Sequence, residues 1–390
     1  MTHVTQIDTY IVTLARDVPY LGPLADGERV NARGYIVRKG NGTVYPNVDR
    51  SVVVRLRTAD GAEGWGETYG LCAPRATCEL INELLGPVLM GQEPAQVESI
   101  GDQLYGLMRV RGCVGGFHGD ALAALDIALW DLHARAQGCS IARLLCEQPA
   151  TRLPCYLSGL PAATLAERVA LARHWQDQGI TAFKFAAAIS HEGVAQEMMA
   201  LREALGPSAE IMVDLHWKYS ADEALALAHR LAPLRPVFIE APVQPEDHDG
   251  FRRVCAESPV PVAAGEEWYS AYEFANRRCP GLAVVQPEMA HTGITAFRRI
   301  AALAQGPAHH TAIAPHATIG IGLFLAASLQ VSSTLSRLWR HEWQHSVFER
   351  HLGLLDTDMG RDGMHYRPPG GPGLGAVPNA RFWQHAEHVG

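Results

Sequence analysis

The chain has eight cysteines but no C-x-x-C pair, which argues against a zinc ribbon or a thioredoxin-like redox motif and leaves reduced thiols as the expectation. No apolar run reaches the roughly 18 residues of a membrane span, and the opening Met1 to Asp8 has no basic segment leading into an apolar one. Basic residues are in deficit. The 33 Lys and Arg stand against 41 Asp and Glu, a formal net charge of −8, without the basic patches that nucleic acid or an acidic membrane surface would need. These absences predict a cytoplasmic protein whose partner is a small molecule, with no nucleic acid and no membrane.

What is present is apolar, at 47% of 390 residues. That length accommodates an α/β barrel of about 250 residues and a smaller domain. Residues 1–138 read as α+β, with strands near 4–14, 51–58 and 63–69 and an Asp60-Gly61 hairpin signal. Leu122, Leu125, Leu129 and Leu132 then make one helical stripe. Short apolar strands alternate with helices over 139–350, the pattern of parallel βαβ units. Eight strands are predicted, near 153–158, 181–186, 211–214, 237–240, 262–265, 283–286, 311–315 and 337–342, with seven helices between them, the last over 318–333, and an eighth helix unclear. The Gly- and Pro-rich stretch 351–390 is expected to return as an irregular tail against the first domain.

Three carboxylates then stand out. Asp214, Glu240 and Glu266 follow one another at intervals of 26 residues, and each closes an apolar run. Acids at the ends of successive buried strands converge at the carboxyl-terminal face of a barrel, where active sites of that fold lie. A single acid there often caps the next helix. Three at one spacing, two of them glutamates, point instead to a metal centre, and oxygen ligands suit a hard cation such as Mg²⁺.

Other polar residues fall on the same face: Lys184 on the second strand, Glu288 after the sixth, His316 after the seventh and Glu342 at the eighth. A third strand continuing through Leu215 would turn His216 to the same side as Asp214. A cation beside acid and base groups suits removal of a proton α to a carboxylate, since it stabilises the resulting enediolate. His216 and Lys184 on one side and His316 opposite are the candidate base and acid, with Glu288 orienting His316. Each also has a structural alternative: Lys184 as an ion-pair partner, Glu342 neutralising Arg340 or His341, and Glu288 as an exposed loop acid. The loop from Pro19 to Asp49, with Arg29, Arg33, Arg38 and Lys39, is expected to be a lid that meets an anionic substrate, Arg29 being the candidate contact. Trp217, Trp268, Tyr269 and His291 are barrel-top candidates for specificity, and Trp268 for substrate contact.

Gly64-Trp65-Gly66-Glu67, Ala123 to Asp131, Phe183-Lys184-Phe185, the three acids, Val285 to Glu288, Ala314-Pro315-His316 and His341-Glu342-Trp343 occur in the order of the enolase superfamily, whose mandelate racemase-like subgroup the chain resembles along nearly its whole length. The resemblance implies a modified (β/α)7β TIM-type barrel with an N-terminal α+β capping domain, one Mg²⁺ per subunit and a homo-oligomer. It carries over Asp214, Glu240 and Glu266 as metal ligands, His316 as the histidine of a His-Asp dyad, and Glu342 as an acid that contacts the substrate carboxylate. Two positions depart from the subgroup. The second strand reads Lys184-Phe185-Ala186 where Lys-x-Lys is usual, and the dyad acid is Glu288. Catalysis between a lysine and a histidine is thereby disfavoured.

Asp214-Leu215-His216 is similar to galactonate dehydratases, in which a histidine two residues beyond the first ligand joins the acid/base work. The expected reaction is dehydration of an acid sugar. His216 removes the α-proton, and His316 protonates the departing β-hydroxyl to give a 2-keto-3-deoxy acid. Lys184 shares the base role, binds the carboxylate or tunes its neighbours. Residues 261–268 and 240–246 are also similar to galactarolactone cycloisomerases, so lactone cycloisomerisation or epimerisation is the first alternative. A non-catalytic, metal-dependent sugar-acid binding protein is the second.

Overall fold

Valine-rich stretches open the chain as extended structure. In the computed structural model, which describes residues 2–306, 311–317 and 320–390, Val4–Ala15, Val48–Thr58 and Glu63–Tyr69 are antiparallel neighbours. Gly61 turns the second pair at φ 85°, where Thr58 Oγ1 donates to Asp60 Oδ1 at 2.6 Å. Helix Phe117–Ala136 lies on this sheet, and the glycines of the Gly64-Trp65-Gly66 motif allow it: a Cβ on Gly64 or Gly66 would strike the carbonyls of Ala128 or Ala124.

The leucine stripe predicts a single apolar face, yet most of this helix is buried all round. Its far side packs on the second domain. There Asp126 Oδ2 accepts from Ile294 N at 2.6 Å and Thr295 N at 2.9 Å, and Trp130 Nε1 donates to Thr295 Oγ1 at 2.9 Å.

The second domain is a barrel of eight parallel strands: Leu153–Ser158, Ala182–Ala186, Glu210–Asp214, Ile239–Glu240, Val262–Ala264, Leu282–Val285, Ala312–Ile313 and His341–Gln344. The eighth pairs with the first from His341↔Cys155 to Gln344↔Ser158 and closes the cylinder. Tyr156, Ala182, Met212, Phe238, Ala263, Val284 and Ala314 form one buried cluster, drawn from successive barrel strands or the residue beside them. Among the described residues, seven helices follow the first seven strands, and a five-residue turn of helix, Phe348–Leu352, follows the last. The helix predicted over 318–333 begins at residues outside the described set and is seen as Leu323–Ser332. Among the described residues no helix is long and apolar enough to cross a membrane.

The C-terminal segment is more regular than its Gly and Pro content predicts. Leu355–Thr357 pairs with Ala376–Pro378, His365–Arg367 pairs with the first barrel strand, and Ala386–His388 adds to the edge of the N-terminal sheet. Glycine supplies the turns here, Gly363 at φ 54° joining Gly360–Asp362 to His365–Arg367.

Glu67 ties the two domains together. Its fully buried carboxylate accepts from Ile321 N at 2.5 Å, Leu323 N at 2.8 Å and Phe324 N at 3.1 Å, at the start of a helix whose amides have no partner within it. Glu67→Gln would set an amide N–H against these donors. The variant is expected to lose about 2 kcal/mol of stability, read as a lower urea midpoint at unchanged slope.

Candidate active site

Strands that end on acids deliver those acids to one rim. Asp214 and Glu240 end neighbouring strands in direct register, about 4.8 Å apart by sheet geometry. Glu266 follows the fifth strand after Gly265, whose φ of 118° no side chain would favour. Ligand atoms of Glu240, Glu266 and His316 lie within 4.8 Å of one another. Asp214 is turned toward His216: Oδ2 lies 2.8 Å from His216 Nδ1, and Oδ1 accepts from His216 N at 2.8 Å.

His216 reaches the rim by a different route from the one strand alternation predicts. The strand stops at Asp214, and His216 and Trp217 take left-handed φ values of 51° and 52°. That conformation is uncommon outside glycine and clusters at functional sites. Both residues line the cavity at the barrel mouth.

Lys184 projects from the second strand, its Nζ 2.9 and 2.8 Å from the two oxygens of Glu240 and 3.0 Å from Glu342 Oε1. Burial opposes its charge, but these carboxylates outweigh burial and raise its pKa well above the ordinary value. Lys184 is therefore a cation, and of the roles left open for it this geometry opposes that of base. Burial also drives Glu240 well upward; Lys184 opposes the rise, and Asp214, Glu266 and Glu342 add to it.

His316 is held on both ring nitrogens. Nδ1 lies 2.8 Å from Glu288 Oε2, and Nε2 lies 2.9 Å from Glu266 Oε2 and 3.5 Å from Glu342 Oε2. Burial disfavours the imidazolium, yet Glu266, Glu342 and Glu288 raise its pKa well above the usual value. Glu288 is buried rather than an exposed loop acid, and it is itself fixed: Tyr69 OH donates to Oε2 at 2.7 Å and Ala290 N to Oε1 at 2.9 Å. Glu342, also buried, accepts from Ala317 N at 2.8 Å.

The cavity of about 320 Å³ is bounded below by Lys184, Asp214, His216, Glu266, His316 and Glu342, and above by Tyr20, Leu21, Val44 and Tyr45 of the Pro19 to Asp49 loop. Three sequence candidates are elsewhere: Arg29, Trp268 and Tyr269, the last lining a neighbouring cavity. Arg29 is exposed and off the cavity wall. The buried arginine of that loop is Arg38, whose guanidinium is spent on Glu28 at 2.8 Å and on the carbonyls of Tyr20 and Gly22, both at 2.6 Å. Trp268 is a core residue, 1% exposed and packed against Phe251 and Phe274; Trp217 takes its place on the wall. Sequence reasoning gave no role to Tyr69 or Asp120, which come from the other domain; only their place beside the Gly64 to Glu67 motif and at the start of a buried helix marked them.

The family defined as Mandelate racemase / muconate lactonizing enzyme, N-terminal domain, matches residues 42–146, and Enolase C-terminal domain-like matches residues 167–382. The chain belongs to the mandelate racemase-like subgroup of the enolase superfamily. It is an enzyme of that superfamily. A D-galactonate dehydratase from Ralstonia nicotianae is 30% identical over 85% of this chain and 90% of its own. A proposed isomerase from Sinorhizobium meliloti superimposes with a TM-score of 0.96 at 49% identity, covering 99% of this chain and 100% of that one. A mandelate racemase/muconate lactonizing protein from Paracoccus denitrificans, complexed with magnesium, does so with a TM-score of 0.83 at 27% identity over 100% and 98% of the two chains.

Proposed function

We propose that the protein is a Mg²⁺-dependent acid-sugar dehydratase. One arrangement carries the reading: two imidazoles, each anchored through Nδ1 to a carboxylate, line the same cavity as the acid cluster, while Ala186 offers a methyl where a second lysine would stand. The dehydratase relative at 30% identity supports it.

The donor set fits a divalent cation. Asp214, Glu240, Glu266, Glu288 and Glu342 crowd one rim with Lys184 as the sole fixed cation among the described residues there, so negative charge stays in excess even with His216 and His316 protonated. Buried charge of one sign is costly unless compensated. Asp214, Glu240 and Glu266 would hold the ion, and oxygen donors select Mg²⁺ over softer metals. When bound, it stabilises the extra negative charge of the enediolate. His216 accepts the α-proton, and His316 returns a proton to the departing β-hydroxyl. Glu288 and Tyr69 keep the His316 ring in place, and the loop residues Tyr20, Leu21 and Tyr45 exclude water.

Isomerisation or lactone cycloisomerisation is the second reading, favoured by the Sinorhizobium meliloti relative. Both begin with the same proton abstraction. The test is a screen of four- to six-carbon sugar acids, diacids and lactones with Mg²⁺, scoring semicarbazide-reactive keto acid and α-deuterium incorporation from D₂O together. A dehydratase yields keto acid from a narrow set of substrates. Exchange without keto acid moves the assignment to isomerisation, and neither signal from any compound sinks both readings.

A further inference from the structure

A third imidazole on the cavity wall is anchored like the other two and has no part in the proposed reaction. His291 Nδ1 lies 2.7 Å from Asp120 Oδ1, a carboxylate from the first turn of helix Phe117–Ala136 in the N-terminal domain. The His291 ring is clasped between two aromatic rings, Tyr69 at 4.9 Å and Tyr269 at 4.5 Å between centroids. Gly115 and Gly119 make this possible, since a Cβ on either would strike the Tyr269 ring. With Nδ1 committed to Asp120, Nε2 is the ring nitrogen left for the cavity, and the side chain keeps 19% exposure.

Its neighbours on the wall are already engaged. Lys184, His216 and His316 each pair with an acid of the proposed metal rim, whereas the partner of His291 belongs to the other domain. Tyr69 lies against the ring, and Leu71, Phe117 and Tyr45 add apolar or aromatic surface to the same cavity. A rigid hydrogen-bonding nitrogen in such surroundings discriminates sharply, because a ligand lacking the matching hydroxyl leaves it unpaired.

We propose that His291 hydrogen-bonds through Nε2 to a hydroxyl at the end of the substrate remote from the reacting carboxylate, and so selects sugar acids by length. Asp120 is a positioning residue that fixes the ring and its tautomer. This inference rests on the sugar-acid reading of the site.

The experiment compares, by calorimetry, binding of the best six-carbon aldonate from the screen and of its three-carbon truncation with the same configuration at C2 to the Mg²⁺-loaded enzyme, every protein carrying His216→Asn so that no acid is consumed, and wild type meaning His291 and Asp120 unchanged. Wild type is expected to prefer the longer acid by roughly tenfold or more. His291→Leu should abolish that preference while leaving the three-carbon affinity unchanged, and Asp120→Asn should fall between. Equal weakening of both acids in His291→Leu would make the residue a structural strut and overturn the proposal, as would a wild type indifferent to length. If no sugar acid, diacid or lactone from the screen binds wild type, the sugar-acid reading itself falls, a result visible before any variant is made.

Discussion

His216→Asn is expected to lower α-proton exchange by roughly 10²- to 10⁴-fold while leaving the fold intact. The substitution suits the position. His216 sits at φ 51°, and asparagine is among the non-glycine residues most at ease in the left-handed region, so the turn after Asp214 gains no strain. The asparagine amide can still donate toward Asp214, which His216 Nδ1 approaches at 2.8 Å, so the carboxylate keeps its orientation. What disappears is the second ring nitrogen, and with it the proton acceptor. The measurement is loss of the α-proton NMR signal in D₂O with Mg²⁺ and a substrate from the screen. Exchange at the wild-type rate would remove His216 from the role of base. His316→Asn supplies the contrast: with the acid gone and the base in place, exchange should outlast keto-acid formation.

The parts of this site legible in the sequence are those governed by local periodicity. Short apolar runs ending on acids at equal spacing located the barrel strands and put Asp214, Glu240 and Glu266 on one rim, because a strand end fixes where its last side chain stands. The turn beyond a strand obeys no such rule. His216 was expected by strand alternation and arrives instead through two left-handed residues, a geometry that no residue type in Leu215-His216-Trp217 announces.

Tertiary pairing was equally hidden. Asp120 and His291 are 171 positions apart; Asp120 alone reads as a helix-start acid, and His291, although a barrel-top candidate, shows no partner in the sequence. Charge misled in the lid, where four basic residues suggested an anion clamp. Arg38 is 2% exposed and holds the loop's own carbonyls, as a guanidinium with five donors readily does. The tail strands were missed because Gly and Pro mark turns without revealing what pairs between them.

Lys184→Met is expected to destabilise the metal-free protein by about 3–5 kcal/mol, the second large effect. The lysine is 3% exposed, with Glu240 and Glu342 both within 3.0 Å. Methionine keeps the length and the apolar stem but removes the charge, leaving buried Glu240 without its cationic partner and Glu342 with His316 at 3.5 Å. Mg²⁺ provides the discriminating arm. Binding to the folded state alone adds stability that grows with ligand concentration over Kd, and a cation held by Asp214, Glu240 and Glu266 would supply the positive charge that the variant lacks. The deficit in urea midpoint measured in EDTA should therefore shrink at saturating Mg²⁺. If it stays constant, the ion and the lysine do not share Glu240, and the proposed ligand set is wrong. If the variant is as stable as wild type in EDTA, Lys184 is not the charge that lets these acids remain buried, and its role is confined to the substrate.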